Sequence, residues 1–313
     1  RHRIRTSASS GGEPGLTQVL ALLGPTAAGK TEVAIRLAEH FGGEIVSVDS
    51  MQVYRGMDIG TAKPMALERR GIPHHMIDIA DPEDEFTVAD FRRLGRSVLD
   101  GSAAPVLIIT GGSGLHFRAL VDPMSFAPTD PALRAELEES DDAELVRALV
   151  ALDPEARSHV DLANPRRVIR ALEIFELTGE TPSGRARTAL AEDVRRYVPE
   201  IEFTAVGLDP DGELDARVDH RLERMREGGL VDEVRRLAPR LGRTARTAVG
   251  YREILEALEG AIGLDEAFTR IASNTKRLAR KQRTWFQRDP RIRWIPWIPD
   301  PDQRTTRVME TYA

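Results

Sequence analysis

Gly24-Pro25-Thr26-Ala27-Ala28-Gly29-Lys30-Thr31 is the stretch that decides the fold of this 313-residue chain. It fits G-x-x-x-x-G-K-[ST], in which Gly24 and Gly29 let the backbone curl until successive N–H groups point at one anion. Lys30 adds a positive charge, and Thr31 offers a hydroxyl to a metal ion bound with the phosphates. Ahead of it, Val19-Leu20-Ala21-Leu22-Leu23 is an apolar run suited to a buried parallel strand. Behind it, Thr31 to Ala38 carries apolar residues at helical spacing with Glu32 in the first turn, so a helix aims its positive dipole end at the same point. Strand, loop and helix agree on a phosphate-binding P-loop. The loop alone does not say which phosphates it holds.

Outward from the loop, strand and helix patterns alternate. Glu44 to Val48 reads as a strand ending at Asp49-Ser50, and Ile72 to Ile79 as a short strand. Thr87 to Leu99 reads as a helix capped by Thr87, and Pro105 to Thr110 as a buried strand running into Gly111-Gly112-Ser113-Gly114. Such alternation builds a parallel sheet whose ligand sits at the strand C-terminal ends, where Lys30, Asp49 and Ser113 all fall. From about Thr129 to Thr188 only helical patterns occur: 131–139, 142–152, and 165–177 with Asn164 as cap. Pro182 to Arg185 reads as a flexible return, and Ile201 to Leu208 as a strand that resumes the sheet. The last third reads as helical: 214–227, ended by Gly228-Gly229, then 230–241, a helix to Leu258, and a long one from Asp265 to about Phe286 stopped by Pro290.

The expected architecture is therefore α/β: a P-loop NTPase-like parallel sheet flanked by helices, with an all-helical insertion domain. Residues 1–16 read as a disordered leader, 17–123 and 200–313 as the core, and 124–199 as the insertion. With no cysteine, disulfides, cysteine-ligated zinc and thiol nucleophiles are excluded. No apolar run approaches the ~20 residues of a membrane span, so a cytoplasmic protein without membrane contact is expected. A net charge of −6 argues against a protein that coats nucleic acid nonspecifically. Locally, however, Lys276, Arg277, Arg280, Lys281, Arg283, Arg288, Arg291 and Arg293 stand against the single acid Asp289, with Trp285, Phe286 and Trp294 interleaved. That stretch is either a grip for a polyanion or a solvated helix face.

Several residues are candidates for chemistry. Asp49, at a strand end beside the loop, is a general base, a metal ligand or the cap of the next turn. Ser113 either binds a phosphate oxygen or belongs to a plain tight turn. Arg217 and Arg221 share one side of a helix and either clamp phosphate or pair with Asp215 and Glu223. Arg166, Arg167 and Arg170 are similarly open. His74-His75 has no partner at metal-ligand spacing. A small-molecule P-loop kinase usually ends the strand 106–110 with an acid, which this chain lacks, and leaves the insertion and basic helix without a role. A nonenzymatic RNA-binding protein leaves the P-loop without one. A transferase acting on RNA accommodates both.

The chain resembles the tRNA dimethylallyltransferase family, also called tRNA isopentenyltransferases. The resemblance rests on Gly24 to Thr31, on Asp49-Ser50-Met51-Gln52-Val53-Tyr54-Arg55-Gly56-Met57-Asp58-Ile59-Gly60-Thr61-Ala62-Lys63-Pro64, and on Gly71 to His75. It continues through Gly111 to Leu115, Asn164 to Val168, Gly250 to Glu253 and Arg280 to Phe286. It implies transfer of a dimethylallyl group from dimethylallyl diphosphate to N6 of adenosine 37, beside the tRNA anticodon. The implied catalytic residues are Asp49, Ser113 and Arg221, with Asp49 accepting the N6 proton. Gly24, Thr26, Ala27, Ala28, Gly29, Lys30, Thr31 and Arg217 would hold the diphosphate, with Mg²⁺ on Thr31. Asp49, Ser50, Met51, Gln52, Ser113, Arg134, Arg166, Arg167, Arg170, Arg246, Gly250, Tyr251, Arg252, Arg280 and Lys281 would meet tRNA. The expected enzyme is a monomer, and the near alternative is an adenylate isopentenyltransferase acting on free nucleotide. Two departures stand out: Ser113 replaces the usual Thr and keeps the hydroxyl, and His116 replaces the usual Tyr.

Overall fold

The structure, a computed structural model, describes residues 17–312; the expected leader, 1–16, lies outside the described residues. Two compact units form. One holds the described residues up to Val121 and from Ile201 onward, and the other is Asp122–Glu200. In chain order the larger unit begins with β1 (Gln18–Leu23), α1 (Lys30–Phe41), β2 (Glu44–Ser47), β3 (His74–His75), α2 (Val88–Gly101), β4 (Val106–Gly111) and α3 (Gly114–Val121). The smaller unit supplies α4 (Pro131–Glu138), α5 (Asp142–Leu152), α6 (Pro165–Thr178), α7 (Pro182–Ala186) and α8 (Ala189–Arg195). The larger unit then resumes with β5 (Thr204–Leu208), α9 (Leu214–Glu227), α10 (Leu230–Leu237), α11 (Tyr251–Leu258), α12 (Leu264–Gln287), β6 (Ile292–Ile295) and α13 (Pro301–Tyr312).

All strand pairings among the described residues are parallel, in the order β3-β2-β4-β1-β5-β6. Side chains alternate across a strand, and β1 feeds two cores accordingly. Leu20 and Leu22 pack with Ile45, Ile108, Val206 and Leu208 beneath α1 and α13. Val19, Ala21 and Leu23 pack on the other face with Val46, Leu107, Ile109 and residues of α2, α3 and α10 to α12. Each such buried Leu contributes about 1.5–3 kcal/mol. Because the strands are parallel, the loops after β1, β2 and β4 open on one edge. There Val48 N–H donates to the Thr110 carbonyl at 2.8 Å and Ser113 N–H to the Val48 carbonyl at 3.1 Å, which lays Asp49 alongside Ser113.

The smaller unit has its own core of Leu145, Leu149, Ala156, Val168 and Leu172. Beside that core Glu173 is fully buried and accepts Arg134 Nη2 at 2.7 Å, Arg170 Nη1 at 2.6 Å and the Asp130 N–H at 2.9 Å. Burial alone would raise the Glu173 carboxyl, but the hydrogen bonds from Arg134 and Arg170 outweigh it and hold it below the usual range.

Some expected elements differ. Thr87 does cap α2, in a reciprocal capping box with Asp90. Asn164 sits at the start of α6 without a side-chain cap hydrogen bond. The expected return at Pro182 is the short helix α7, because Thr181 accepts the Gly184 N–H and starts a turn. The strand expected over 72–79 forms only at His74–His75, since positive φ at Met76 and Asp78 turns the chain out of the sheet. The last third also holds a strand, β6, whose two buried ends, Ile292 and Ile295, flank Arg293 and Trp294 and carry no strand-like alternation.

Candidate active site

A cavity of about 390 Å³ opens at the strand ends of the larger unit. Its walls include Thr26, Lys30 and Thr31 of the P-loop, Asp49 to Gln52 after β2, Gly60 to Ala62, Ser113, and Arg221 of α9. The P-loop curls as its sequence demands. Gly24 has φ +148°, and a Cβ there would strike the Leu208 carbonyl of β5. The Thr26 N–H donates to Gln282 Oε1 of α12 at 2.8 Å, and Lys30 Nζ folds onto the Pro25 carbonyl at 2.6 Å. Burial and the neighbouring Arg221 lower the Lys30 pKa to about 7, against a smaller opposing pull from Asp49. An anion in this loop would reverse that shift by pairing with the ammonium.

Asp49 Oδ1 accepts the N–H groups of Met51 at 2.8 Å and Gln52 at 3.3 Å. The carboxylate is thus both the cap of the following turn and a wall of the cavity. Fixing Oδ1 sets the orientation of the other oxygen. Asp49 acts electrostatically on Lys30, Arg221 and His116, so one negative charge stands among three basic side chains. Ser113 Oγ lies 2.6 Å from His116 Nδ1. Burial pushes the His116 pKa down to about 4, so the imidazole is neutral at physiological pH, edge-on to Phe91 at 4.6 Å.

The two arginines of α9 divide. Arg221 lines the cavity and its Nη2 donates to the Thr61 carbonyl at 3.3 Å. Arg217 is not in the cavity wall: its Nε holds the Ala27 carbonyl at 2.7 Å from behind the loop, and its guanidinium stacks on Trp297 at 4.6 Å. Neither forms the surface pairs with Asp215 or Glu223 that were the alternative; Asp215 pairs with Arg280 instead. Of the other expected residues, Ser50, Met51, Gln52, Gly250 and Lys281 also line the cavity. Arg246 and Arg252 pair with Glu259 and Glu253. In the smaller unit Arg134 and Arg170 are committed to Glu173, Arg167 lies 3.5 Å from Asp161, and Arg166 is exposed.

Tyr251, expected to meet tRNA, is fully buried in this structure, and its hydroxyl donates to Glu233 Oε1 at 2.5 Å. The basic stretch 276–293 gains acidic partners from elsewhere in the fold. Its cations do not stand against Asp289 alone, because Lys276 pairs with Asp219, Arg280 with Asp215 and Arg283 with Asp209 and Asp211. Phe286, interleaved with these cations in sequence, is part of the core. The missed residue is Gln282, which holds the Thr26 amide. Ile271, Thr275, Leu278, Gln282 and Trp285 recur at steps of three and four along α12 and all line the cavity, a signal that was present in the spacing.

Fold and site together define an α/β protein of the P-loop class, with the loop facing a cavity shared by an acid, a hydroxyl and an arginine. The family model for IPP transferase matches residues 52–289, and the chain belongs to that family. It is 46% identical over 292 residues to the tRNA dimethylallyltransferase of Bifidobacterium longum, covering 89% of this chain and 86% of that one. To the tRNA dimethylallyltransferase of Streptomyces coelicolor it is 44% identical over 294 residues, covering 90% and 91%. Among solved structures it is similar to the full-length tRNA isopentenylpyrophosphate transferase of Bacillus halodurans, at 34% identity and TM-score 0.66, covering 94% of this chain and 96% of that one. A eukaryotic dimethylallyltransferase acting on tRNA, at 24% identity and TM-score 0.79 over 95% of this chain and 79% of that one, shares the fold.

Proposed function

We propose that the chain transfers a dimethylallyl group from dimethylallyl diphosphate to N6 of adenosine 37 of tRNA, giving N6-dimethylallyladenosine and pyrophosphate. The observation that carries this reading is the meeting of Lys30, Asp49, Ser113 and Arg221 around one cavity in a member of the IPP transferase family. The names of the relatives support the acceptor and the group transferred.

In the reaction the N6 amine attacks C1 of the prenyl group, the C1–O bond breaks, and the electron pair leaves with pyrophosphate. Asp49, oriented by the Met51 and Gln52 amides, takes the N6 proton. Lys30 and Arg221 offset the charge that grows on the departing diphosphate. The Ser113 hydroxyl, held by His116, stands by the reacting centre. Leu222, Met225, Ile271 and Leu278 give the cavity an apolar side suited to the prenyl tail. The adenine leaves its stack to reach Asp49, with Met51, Gln52 and Trp285 in the wall that receives it.

Mg²⁺ is the cofactor that goes with this reading: Thr31 of the P-loop is part of the cavity wall and would hold it, and Mg²⁺ commonly takes few protein ligands and completes its shell with phosphate oxygens and water. Bound there, it would neutralise diphosphate charge. No helix among the described residues is long and apolar enough to cross a membrane, and a cytoplasmic monomer is the form we propose.

The test offers two acceptors. Purified protein receives dimethylallyl diphosphate, Mg²⁺ and either unmodified tRNA with adenosines at 36 to 38 or AMP, and the nucleosides are weighed by mass spectrometry. Prenylated adenosine from tRNA alone is the expected result. Product from AMP alone moves the acceptor to free nucleotide.

A further inference from the structure

The hairpin-like turn from Asp58 to Ala62 is held by a carboxylate that comes from a different element. Glu233 of α10 is 1% exposed. Its Oε2 accepts the N–H of Asp58 at 3.1 Å and of Ile59 at 2.8 Å, and its Oε1 accepts the N–H of Gly60 at 3.0 Å. The Tyr251 hydroxyl supplies a fourth donor at 2.5 Å, so the carboxylate is fully engaged despite its burial. Three successive amides converge on one anion, the pattern by which backbone N–H groups also hold a phosphate. The Tyr251 ring closes the other side, since a Cβ on Gly60 would collide with it.

The held turn ends in the cavity. Gly60, Thr61 and Ala62 line the wall, and the Thr61 carbonyl receives Arg221 Nη2 at 3.3 Å and Gln52 Nε2 at 3.2 Å. Arg221 is a long side chain whose guanidinium needs an anchor to face one direction. Thr61 is its hydrogen-bond partner on the wall and directly follows Gly60, the last of the three amides that Glu233 holds.

We propose that Glu233 and Tyr251 are positioning residues for Arg221, aiming its guanidinium at the diphosphate through the Asp58–Ala62 turn. The inference rests on the reading that Arg221 meets the diphosphate. Neither residue reaches the cavity, and neither would contact substrate. Displacing the turn moves the Thr61 carbonyl and with it the guanidinium, and sub-ångström to 1 Å errors at such a group are expensive for the transition state.

The test is a double-mutant cycle read by calorimetry, with inorganic pyrophosphate and Mg²⁺ as the probe. Tyr251→Phe removes only the hydroxyl that meets Glu233. In the wild-type background it weakens pyrophosphate by about fivefold to tenfold, and in the Arg221→Gln background by less than about twofold. Its melting temperature is measured alongside; a merely structural role would lower that and leave the coupling at zero. Glu233→Gln gives a second cycle should Tyr251→Phe fail to fold. Effects that multiply across the two backgrounds, an unchanged affinity in Tyr251→Phe, or a wild type that does not bind pyrophosphate each overturn the proposal. Prenyl transfer to tRNA is assayed on the same wild-type preparation. Coupling without transfer removes the reaction and keeps the positioning role; transfer without coupling does the reverse.

Discussion

Lys30→Met should stabilise the ligand-free protein, and the gain should shrink as pH rises. The folded-state pKa of Lys30 is lowered to about 7 from 10.5, by burial first and Arg221 second. At pH 6 the lysine is protonated in folded and unfolded chains alike, so the folded chain bears the full cost of a buried ammonium. Above pH 7 the folded chain sheds that proton while the unfolded chain keeps it until about 10.5. The unfolded state then binds more protons, and wild-type stability rises with pH. Between pH 6 and pH 9 the linkage integral is about 2.5 kcal/mol. Water entering the cavity that Lys30 lines screens part of it, and we expect about 1–2 kcal/mol. Lys30→Met has no such dependence, and every other titrating group is common to both proteins. The difference in melting temperature between variant and wild type should therefore fall by about 2–4 °C from pH 6 to pH 9. Parallel curves for the two proteins would refute the derivation, because they would mean that the Lys30 ammonium carries no burial cost in the folded site.

Asp49→Asn should lower kcat for prenyl transfer by about 10²- to 10⁴-fold while binding pyrophosphate at least as tightly as wild type, since it removes a base and a repelling charge together; stopped-flow kinetics and calorimetry separate the two. Glu173→Ala strips Arg134 and Arg170 of their shared buried acceptor and should cost about 1–3 kcal/mol, read as earlier proteolytic cleavage within 122–200. Gly24→Ala forces a side chain into the Leu208 carbonyl at φ +148° and should destabilise by about 3 kcal/mol or more, seen in urea unfolding. His116→Phe leaves Ser113 without its imidazole partner and should lower kcat with little change in KM for dimethylallyl diphosphate.

The P-loop was legible because its chemistry is local: strand, glycine turn and helix follow one another, and φ +148° at Gly24 is a property of that turn. The strand ends were legible for the same reason, and Asp49 and Ser113 followed from them. Tyr251 was not, because GYRE reads as a surface motif until the buried Glu233, 18 residues earlier, is seen to receive the hydroxyl. Nor were the ion pairs of Lys276, Arg280 and Arg283, since their acids, between Asp209 and Asp219, come from α9 and the loop before it, and only the fold pairs them. Arg217 and Arg221 look alike in sequence, four apart on one helix. They separate only where one meets the back of the loop and the other the cavity.

The central claim is that this P-loop holds the diphosphate of a prenyl donor and releases it as pyrophosphate. The most direct measurement is a single turnover with enzyme in excess over tRNA, quantifying pyrophosphate and prenylated adenosine from the same quenched samples, with ATP replacing the donor in a parallel series. One pyrophosphate per prenylated adenosine is expected, the two rising together, and neither product from ATP. Orthophosphate released from ATP with no prenylated adenosine in the donor series would contradict it and assign the loop to a nucleoside triphosphate.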